Sequence, residues 1–130
     1  MPSNLALIRS TYEGPSEENG KHLLEVLAPD AVWVEAPGFP YAGTYVGAEA
    51  IIANVFRQLA TEWIDYTAKV HSYIEDGDRV AAFGVYSGIY AATGKPMQAI
   101  FAHLYQLKDG QIIHMTQYVD SSMVQQAMRP

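Results

Sequence analysis

The hydrophobic pattern divides the chain into a helical first half and a strand-rich second half. Apolar residues recur at helical spacing after Asn4 and again after Ser16, both of which are typical N-cap residues. The second helix is predicted to end at Pro29, and a longer third helix is predicted from Gly47 to Trp63. The apolar positions of the three helices are Leu5, Ile8 and Tyr12; Leu23, Leu24 and Leu27; and Ile51, Ile52, Val55, Phe56, Leu59 and Trp63.

Extended apolar runs predict five strands. A short strand from Ala31 to Glu35 lies between the second and third helices and is followed by a loop rich in Pro and Gly. Four longer runs follow the third helix, and a Gly-containing turn separates each from the next. They are Ile64 to Ile74, Arg79 to Tyr90, Met97 to Leu107, and the run after Asp109-Gly110.

This order of elements predicts one α+β domain spanning residues 1–130. A four-strand antiparallel meander, together with the one strand from the helical half, forms a strongly curved sheet around the three N-terminal helices. Ile100 and Phe101 are neighbours, as expected of a strand with apolar groups on both faces. One face meets the helices, and the outer face is predicted to form a homodimer interface.

Composition narrows the classes of partner. The chain has 49% hydrophobic and 17% charged residues, so it can build a core, and its net charge of −6 disfavours binding to nucleic acid. It contains no cysteine, no signal-like N-terminal segment and no apolar run long enough to cross a membrane, which predicts a cytoplasmic protein without membrane contact. No closely spaced His pair, phosphate loop or dinucleotide fingerprint is present, so no metal and no cofactor are expected.

Six short motifs stand out along the chain: Leu27-Ala28-Pro29-Asp30-Ala31-Val32-Trp33, Gly43-Thr44-Tyr45-Val46-Gly47, Asp76-Gly77-Asp78-Arg79-Val80, Phe101-Ala102-His103-Leu104-Tyr105, Lys108-Asp109-Gly110-Gln111-Ile112 and Tyr118-Val119-Asp120. They resemble motifs of the nuclear-transport-factor-2-like superfamily, and in particular of its SnoaL-like polyketide cyclases and ketosteroid-isomerase-related proteins. The resemblance covers nearly the whole chain. It implies a cone of curved sheet and helices with a pocket for a small hydrophobic molecule, but the fold hosts isomerases, cyclases, hydrolases and non-catalytic binding modules.

The resemblance to ketosteroid isomerases concerns their carboxylate base and the Tyr and protonated Asp that hold an oxyanion. One alignment brings Glu35 onto the base position, whereas a shift of one residue brings Ala36 there. Tyr12 falls on or next to the oxyanion Tyr. Ala102 stands where the protonated Asp would be, so the isomerase constellation is incomplete. Independently of the resemblance, Glu35 shares a strand face with Trp33, and burial there would raise its pKa; the alternative is a solvated or ion-paired Glu at the rim.

Asp120 aligns with the acid/base Asp that SnoaL-like cyclases carry at the end of their last strand. Strict alternation places it with His114, Thr116 and Tyr118, away from the more apolar face, unless the strand contains a bulge. Asp120 is therefore a candidate acid/base group that could equally cap the closing segment from Ser121.

His103 lies between Phe101 and Tyr105 on one face of its strand, either as an acid/base partner or as a hydrogen-bonded core residue. Two functions remain open: cofactor-free acid/base chemistry of isomerase, cyclase or hydrolase type on a hydrophobic substrate, or a non-catalytic ligand-binding or assembly domain. An aromatic and apolar set is predicted to line the pocket: Trp33, Phe39, Phe56, Trp63, Tyr86 and Met115.

Overall fold

The computed structural model of the protein describes residues 2–130, and in this part of the chain it confirms the α+β class. The helices are α1 (Asn4–Arg9), α2 (Ser16–Val26), α3 (Ala48–Ile51), α4 (Arg57–Glu62) and α5 (Ser121–Met128), and a π-helical segment (Ile52–Phe56) joins α3 to α4. The strands are β1 (Leu27–Glu35), β2 (Gly43–Val46), β3 (Trp63–Asp76), β4 (Arg79–Tyr90), β5 (Pro96–Lys108) and β6 (Gln111–Val119).

The six strands form one curved, open sheet in the order β2-β1-β6-β5-β4-β3. The predicted meander is present as β3 to β6. Strand β2 was not predicted, because its four residues were interpreted as the end of the loop before the third helix. It pairs with β1 and forms one edge of the sheet. The β1–β6 pair is parallel, and the other pairs are antiparallel.

The second helix ends earlier than predicted. Leu27 was expected on its buried stripe, but α2 ends at Val26 and Leu27 begins β1, where it pairs with Ile112. Ala28 precedes Pro29, and a residue before proline is restricted to extended backbone, so the helix cannot continue through this point. Of the other two predicted stripe residues, Leu23 is partly buried against the core and Leu24 is exposed.

Strand β3 contains two register shifts against β4. The shifts fall between Ile64 and Thr67 and between Val70 and Ser72. Each one changes which residues face the core, and therefore Ile64 and Ile74 are exposed whereas Tyr66 is partly buried against the core.

Gly84 in β4 allows a close backbone approach at the second of these shifts. A Cβ atom there would lie 2.1 Å from the Lys69 carbonyl oxygen and 2.9 Å from the Phe101 ring. We expect Gly84→Ala to destabilise the protein by about 2–3 kcal/mol through overpacking. Gly20→Ala is the control: this helical glycine has no atom within 4 Å of an added Cβ, so alanine should stabilise by about 0.5–1 kcal/mol. Urea unfolding measures both, and a neutral Gly84→Ala would contradict the packing at this position.

The core lies between the sheet and the helices. Ile8 of α1, Ile51 of α3 and Val55 of the π-helical segment are almost fully buried against the inner face of the sheet. None of the helices described for residues 2–130 has the length and apolar character needed to cross a membrane.

Candidate functional site

A cavity of about 700 Å³ lies between the inner face of the sheet and the helices. Its volume is within the range typical of small-molecule sites. Val55 and Phe56 of the π-helical segment and Leu59 of α4 supply apolar wall on the helix side. The sheet side carries the groups that could perform chemistry: Trp33, Glu35, Tyr86, His103, Tyr105 and Gln117.

Glu35 is a buried carboxyl group in this cavity. It ends β1 on the same face as Ala31 and Trp33, and its side chain is only 4% exposed. Burial raises its pKa from 4.5 to about 8, since a low-dielectric environment disfavours the charged form. The rim position with an ion pair is not observed, because the one salt bridge within residues 2–130 joins Arg9 and Glu13.

The Trp33 indole is the neighbour of Glu35 on this face. Its Nε1–H is buried and has no hydrogen-bond partner among residues 2–130. The indole N–H lies close enough to the Glu35 carboxyl group to oppose part of the rise in the Glu35 pKa. The two groups do not, however, meet the geometric criteria for a hydrogen bond. Glu35 is thus a carboxyl group with one donor nearby and no cation to stabilise its charge.

His103 joins two tyrosines across the cavity. The alternation of β5 points Phe101, His103 and Tyr105 inward. The imidazole Nδ1 is hydrogen-bonded to the Tyr12 hydroxyl and Nε2 to the Tyr86 hydroxyl. The Tyr12 hydroxyl also bonds that of Tyr105, and these four side chains form one chain of hydrogen bonds that we call the Tyr–His network.

Burial holds every member of the Tyr–His network neutral. It lowers the pKa of His103 from 6.5 to about 3. It raises the pKa of Tyr12, Tyr86 and Tyr105 above the usual value for a phenol, and an ionised Glu35 adds to the rise for Tyr86 and Tyr105. The network therefore presents neutral hydroxyl donors to the cavity, and His103 is a neutral imidazole at neutral pH.

Gln117 anchors the network and was not predicted. Its Nε2 donates to the Tyr86 hydroxyl over 2.9 Å, and its Oε1 accepts from the amide of Ala36 over 2.9 Å. It therefore ties the end of β1, beside Glu35, to the network. The sequence did contain a signal for this residue: Gln117 is a polar amide that lies two residues after Met115, on the otherwise apolar face of β6.

The predicted aromatic lining is found in part. Trp33, Phe56, Trp63 and Tyr86 line the cavity. Phe39 and Met115 do not: both are buried in the core, where the Phe39 ring packs 6.0 Å from that of Tyr86 and Met115 pairs with Tyr105 across the sheet. These two residues pack next to the lining residues Tyr86 and Tyr105 but do not themselves border the cavity. The cavity also contains Tyr66 and Tyr105, which were not in the predicted set.

Asp120 lies outside the cavity. The pairing of β6 with β5 shifts only near Ile113, and it is regular from His114 to Val119, so no bulge turns Asp120 inward. Its Oδ1 accepts a hydrogen bond from the Ser122 hydroxyl at the start of α5, over 2.7 Å. It makes no side-chain cap to a helix amide. The structure thus brings Tyr12, Glu35 and His103 to one cavity and leaves Asp120 apart.

Residues 2–130 contain no cluster of three or more His, Asp or Glu side chains with the geometry to hold a metal ion. The cavity offers one buried carboxyl group, Glu35, one exposed carboxyl group, Asp65, one neutral imidazole and several hydroxyl groups. Such a set can take a proton from a bound molecule, return it, and donate hydrogen bonds to an oxygen that gains charge.

The curved six-strand sheet with its inner cavity defines an NTF2-like α+β protein. The family model described as a SnoaL-like domain matches residues 8–115. The chain belongs to this SnoaL-like family. No curated protein matches the chain.

Several solved structures share the fold of this chain. An NTF2-like protein from Burkholderia thailandensis is 37% identical, with 100% of each chain covered and a TM-score of 0.94. An NTF2-like protein of unknown function from Burkholderia pseudomallei is 22% identical, with 100% of each chain covered and a TM-score of 0.88. TerC, co-crystallised with polyporic acid, is 23% identical over 96% of this chain and 97% of its own, with a TM-score of 0.83.

Proposed function

We propose that this protein is an enzyme that performs cofactor-free acid/base chemistry on a small hydrophobic carbonyl compound. The observation that carries the proposal is Glu35, a carboxyl group 4% exposed that lines a cavity of about 700 Å³. A pKa near 8 suits a general base or acid, since catalytic efficiency is greatest when the pKa lies near the working pH.

In the proposed reaction, Glu35 as carboxylate takes a proton from the carbon beside a substrate carbonyl. The electron pair of that C–H bond moves to the carbonyl oxygen, which becomes an enolate oxygen. A tyrosine hydroxyl of the Tyr–His network donates a hydrogen bond to it. Protonated Glu35 then returns the proton to another carbon, as in an isomerisation. In a cyclisation the enolate carbon instead attacks a second carbonyl carbon, and protonated Glu35 gives its proton to the alkoxide oxygen that this attack forms.

Burial of Glu35 also favours the enzyme over the alternative, a binding or assembly module. A module of that kind has no need for a desolvated carboxyl group, because a buried charge without a cation lowers stability. TerC was co-crystallised with polyporic acid, which supports a flat hydrophobic ligand for the cavity of this chain. Asp120 is not part of the proposed site.

A direct test uses 2-tetralone, a flat ketone with two fused rings and acidic α-protons. In deuterated buffer, the protein should accelerate exchange of these protons for deuterium, measured by proton NMR. A buried carboxylate that does not accelerate exchange of this ketone or of related flat ketones would contradict the proposal of proton abstraction.

We also propose that the outer face of the sheet forms a homodimer interface. On the neighbouring strands β4, β5 and β6, Ala102 pairs with Phe83 on one side and with Tyr118 on the other. Val85 of β4 pairs with Ile100 of β5. Ile100 is 67% exposed and Tyr118 56% exposed. These five side chains carry no formal charge, so two copies of a chain with net charge −6 can approach across them without direct repulsion.

Charge introduced at the centre of this face tests the dimer. Ile100→Glu should convert the dimer to a monomer, because each copy would bury a carboxylate without a partner. Light scattering after size-exclusion chromatography gives the mass, and Leu24→Glu, on exposed helix α2, is the matched control that should leave the dimer intact. A wild-type monomer, or a dimer that tolerates Ile100→Glu, would refute this interface.

A further inference from the structure

The Tyr–His network has one more proton than its own hydrogen bonds require. Tyr105, Tyr12, His103 and Tyr86 are linked by three bonds: Tyr105 to Tyr12, Tyr12 to Nδ1, and Nε2 to Tyr86. Three hydroxyl groups and one neutral imidazole carry four exchangeable protons. Three protons occupy the three bonds, which leaves one O–H free to face the cavity.

The tautomer of His103 decides which O–H is free. When Nδ1 carries the proton, it donates to Tyr12, and Tyr86 donates to Nε2; the free O–H then belongs to Tyr12 or Tyr105. When Nε2 carries the proton, it donates to Tyr86, whose own O–H becomes free, while Tyr105 donates to Tyr12 and Tyr12 to Nδ1. Gln117 donates to the Tyr86 oxygen, a bond that is compatible with both arrangements.

We propose that the Tyr–His network is a proton relay, in which tautomerisation of neutral His103 moves a proton between Tyr86 and Tyr105 at opposite ends of the network. The inference rests on the proposed function only in that a substrate occupies this cavity. It adds a second path for protons, separate from Glu35, and makes His103 a positioning residue that acts through the tyrosines.

Each step of the relay conserves charge. A substrate hydroxyl gives its proton to the Tyr86 oxygen as the Tyr86 proton moves to Nε2. The Nδ1 proton moves to the Tyr12 oxygen, and the Tyr12 proton moves to Tyr105. The Tyr105 proton then passes to a carbonyl oxygen of the substrate. Every side chain of the network gains one proton and loses one, His103 gaining at Nε2 and losing at Nδ1, so neither an imidazolium nor a phenolate forms.

This transfer suits one class of substrate: a flat, conjugated molecule with a hydroxyl group at one end and a carbonyl oxygen at the other. The relay interconverts its two keto–enol forms, while Glu35 remains available for a C–H bond. Burial supports the arrangement, since His103, Tyr86 and Tyr105 are each less than a tenth exposed and water would otherwise compete for these protons.

The test follows the His103 tautomer by ¹⁵N NMR of histidine-labelled protein without ligand. The chain has four histidines, and His103→Gln assigns the relevant signals. We expect a mixture of both tautomers in the wild type. Tyr86→Phe should enrich the Nδ1–H form and Tyr12→Phe the Nε2–H form, each by about fivefold or more, because a buried N–H without an acceptor is disfavoured.

Tyr73→Phe is the matched control. Tyr73 packs beside Tyr12, but its buried hydroxyl has no hydrogen-bond partner within residues 2–130, so the tautomer ratio should not change. A charged His103 at neutral pH, or a ratio that is unchanged in either network variant, would overturn the relay, and each variant is decisive alone. Since Glu35 is intact in every one of these proteins and no substrate is used, this result stands apart from the exchange test of the proposed function.

Discussion

Glu35→Gln is expected to lower the rate of 2-tetralone deuterium exchange by about 10²–10⁴-fold, the usual contribution of a positioned general base. Gln matches Glu in size and hydrogen-bonding shape, but it cannot accept the carbon-bound proton. The loss should therefore appear in kcat, with little change in KM, because the cavity and its aromatic walls remain.

The pH profile of the wild-type enzyme gives a second signature of the same group. Only the carboxylate accepts a proton, so the rate should rise with pH and level off near the Glu35 pKa of about 8. Asp120→Asn is the matched control: it removes one carboxylate from the chain, but outside the cavity, and should leave both the rate and the profile unchanged. Retention of full activity by Glu35→Gln would contradict the assignment of the base.

The second large effect expected is on stability, where Glu35 and His103 act in opposite directions. The pKa of Glu35 rises from 4.5 to about 8 on folding, so the folded state holds the proton more tightly and stability is lost as pH rises through this window. The pKa of His103 falls from 6.5 to about 3, so stability is lost as pH falls through that window. Each group can contribute about 1.4 kcal/mol per pH unit.

The two contributions nearly cancel between pH 4.5 and 6.5, where both windows overlap. Above pH 6.5 only Glu35 acts, and the wild type should lose about 2 kcal/mol between pH 6.5 and 8. In Glu35→Gln the His103 contribution is no longer opposed. The variant should gain about 2 kcal/mol from pH 4.5 to 6.5 and then stay level.

Urea unfolding at a series of pH values measures this difference. Groups other than Glu35 are common to both proteins, so the difference between the two curves isolates the carboxyl group. Parallel curves for the wild type and Glu35→Gln would mean that Glu35 ionises as it does in the unfolded chain, and the proposed desolvated site would then be wrong.

Local patterns in the sequence predicted the architecture and part of the site. The α+β class, the four-strand meander and the SnoaL-like family are confirmed. Strict alternation predicted that His103 shares a strand face with Phe101 and Tyr105, and Glu35 with Trp33. The structure shows the same faces, because neither strand contains an irregularity at these residues. The single domain, the cytoplasmic location, the homodimer and the catalytic roles stay predictions.

Long-range pairing explains what the sequence did not predict. The register shifts of β3 depend on its pairing with β4, and the shift of β6 near Ile113 depends on its pairing with β5. The sequence of a single strand does not contain the register of its partner. Gln117 gains its role from Tyr86, which lies 31 residues away. The absence of a bulge at the end of β6 likewise became visible only in the pairing, and it leaves Asp120 outside the cavity.

The central claim is that Glu35 is a desolvated carboxyl group in a ligand cavity. A ¹³C NMR titration of the glutamate side-chain carboxyl carbons tests it most directly, with Glu35→Gln to identify the signal. We predict a midpoint near pH 8 for Glu35. A midpoint close to the ordinary value of 4.5 would show a solvated carboxylate and contradict the account.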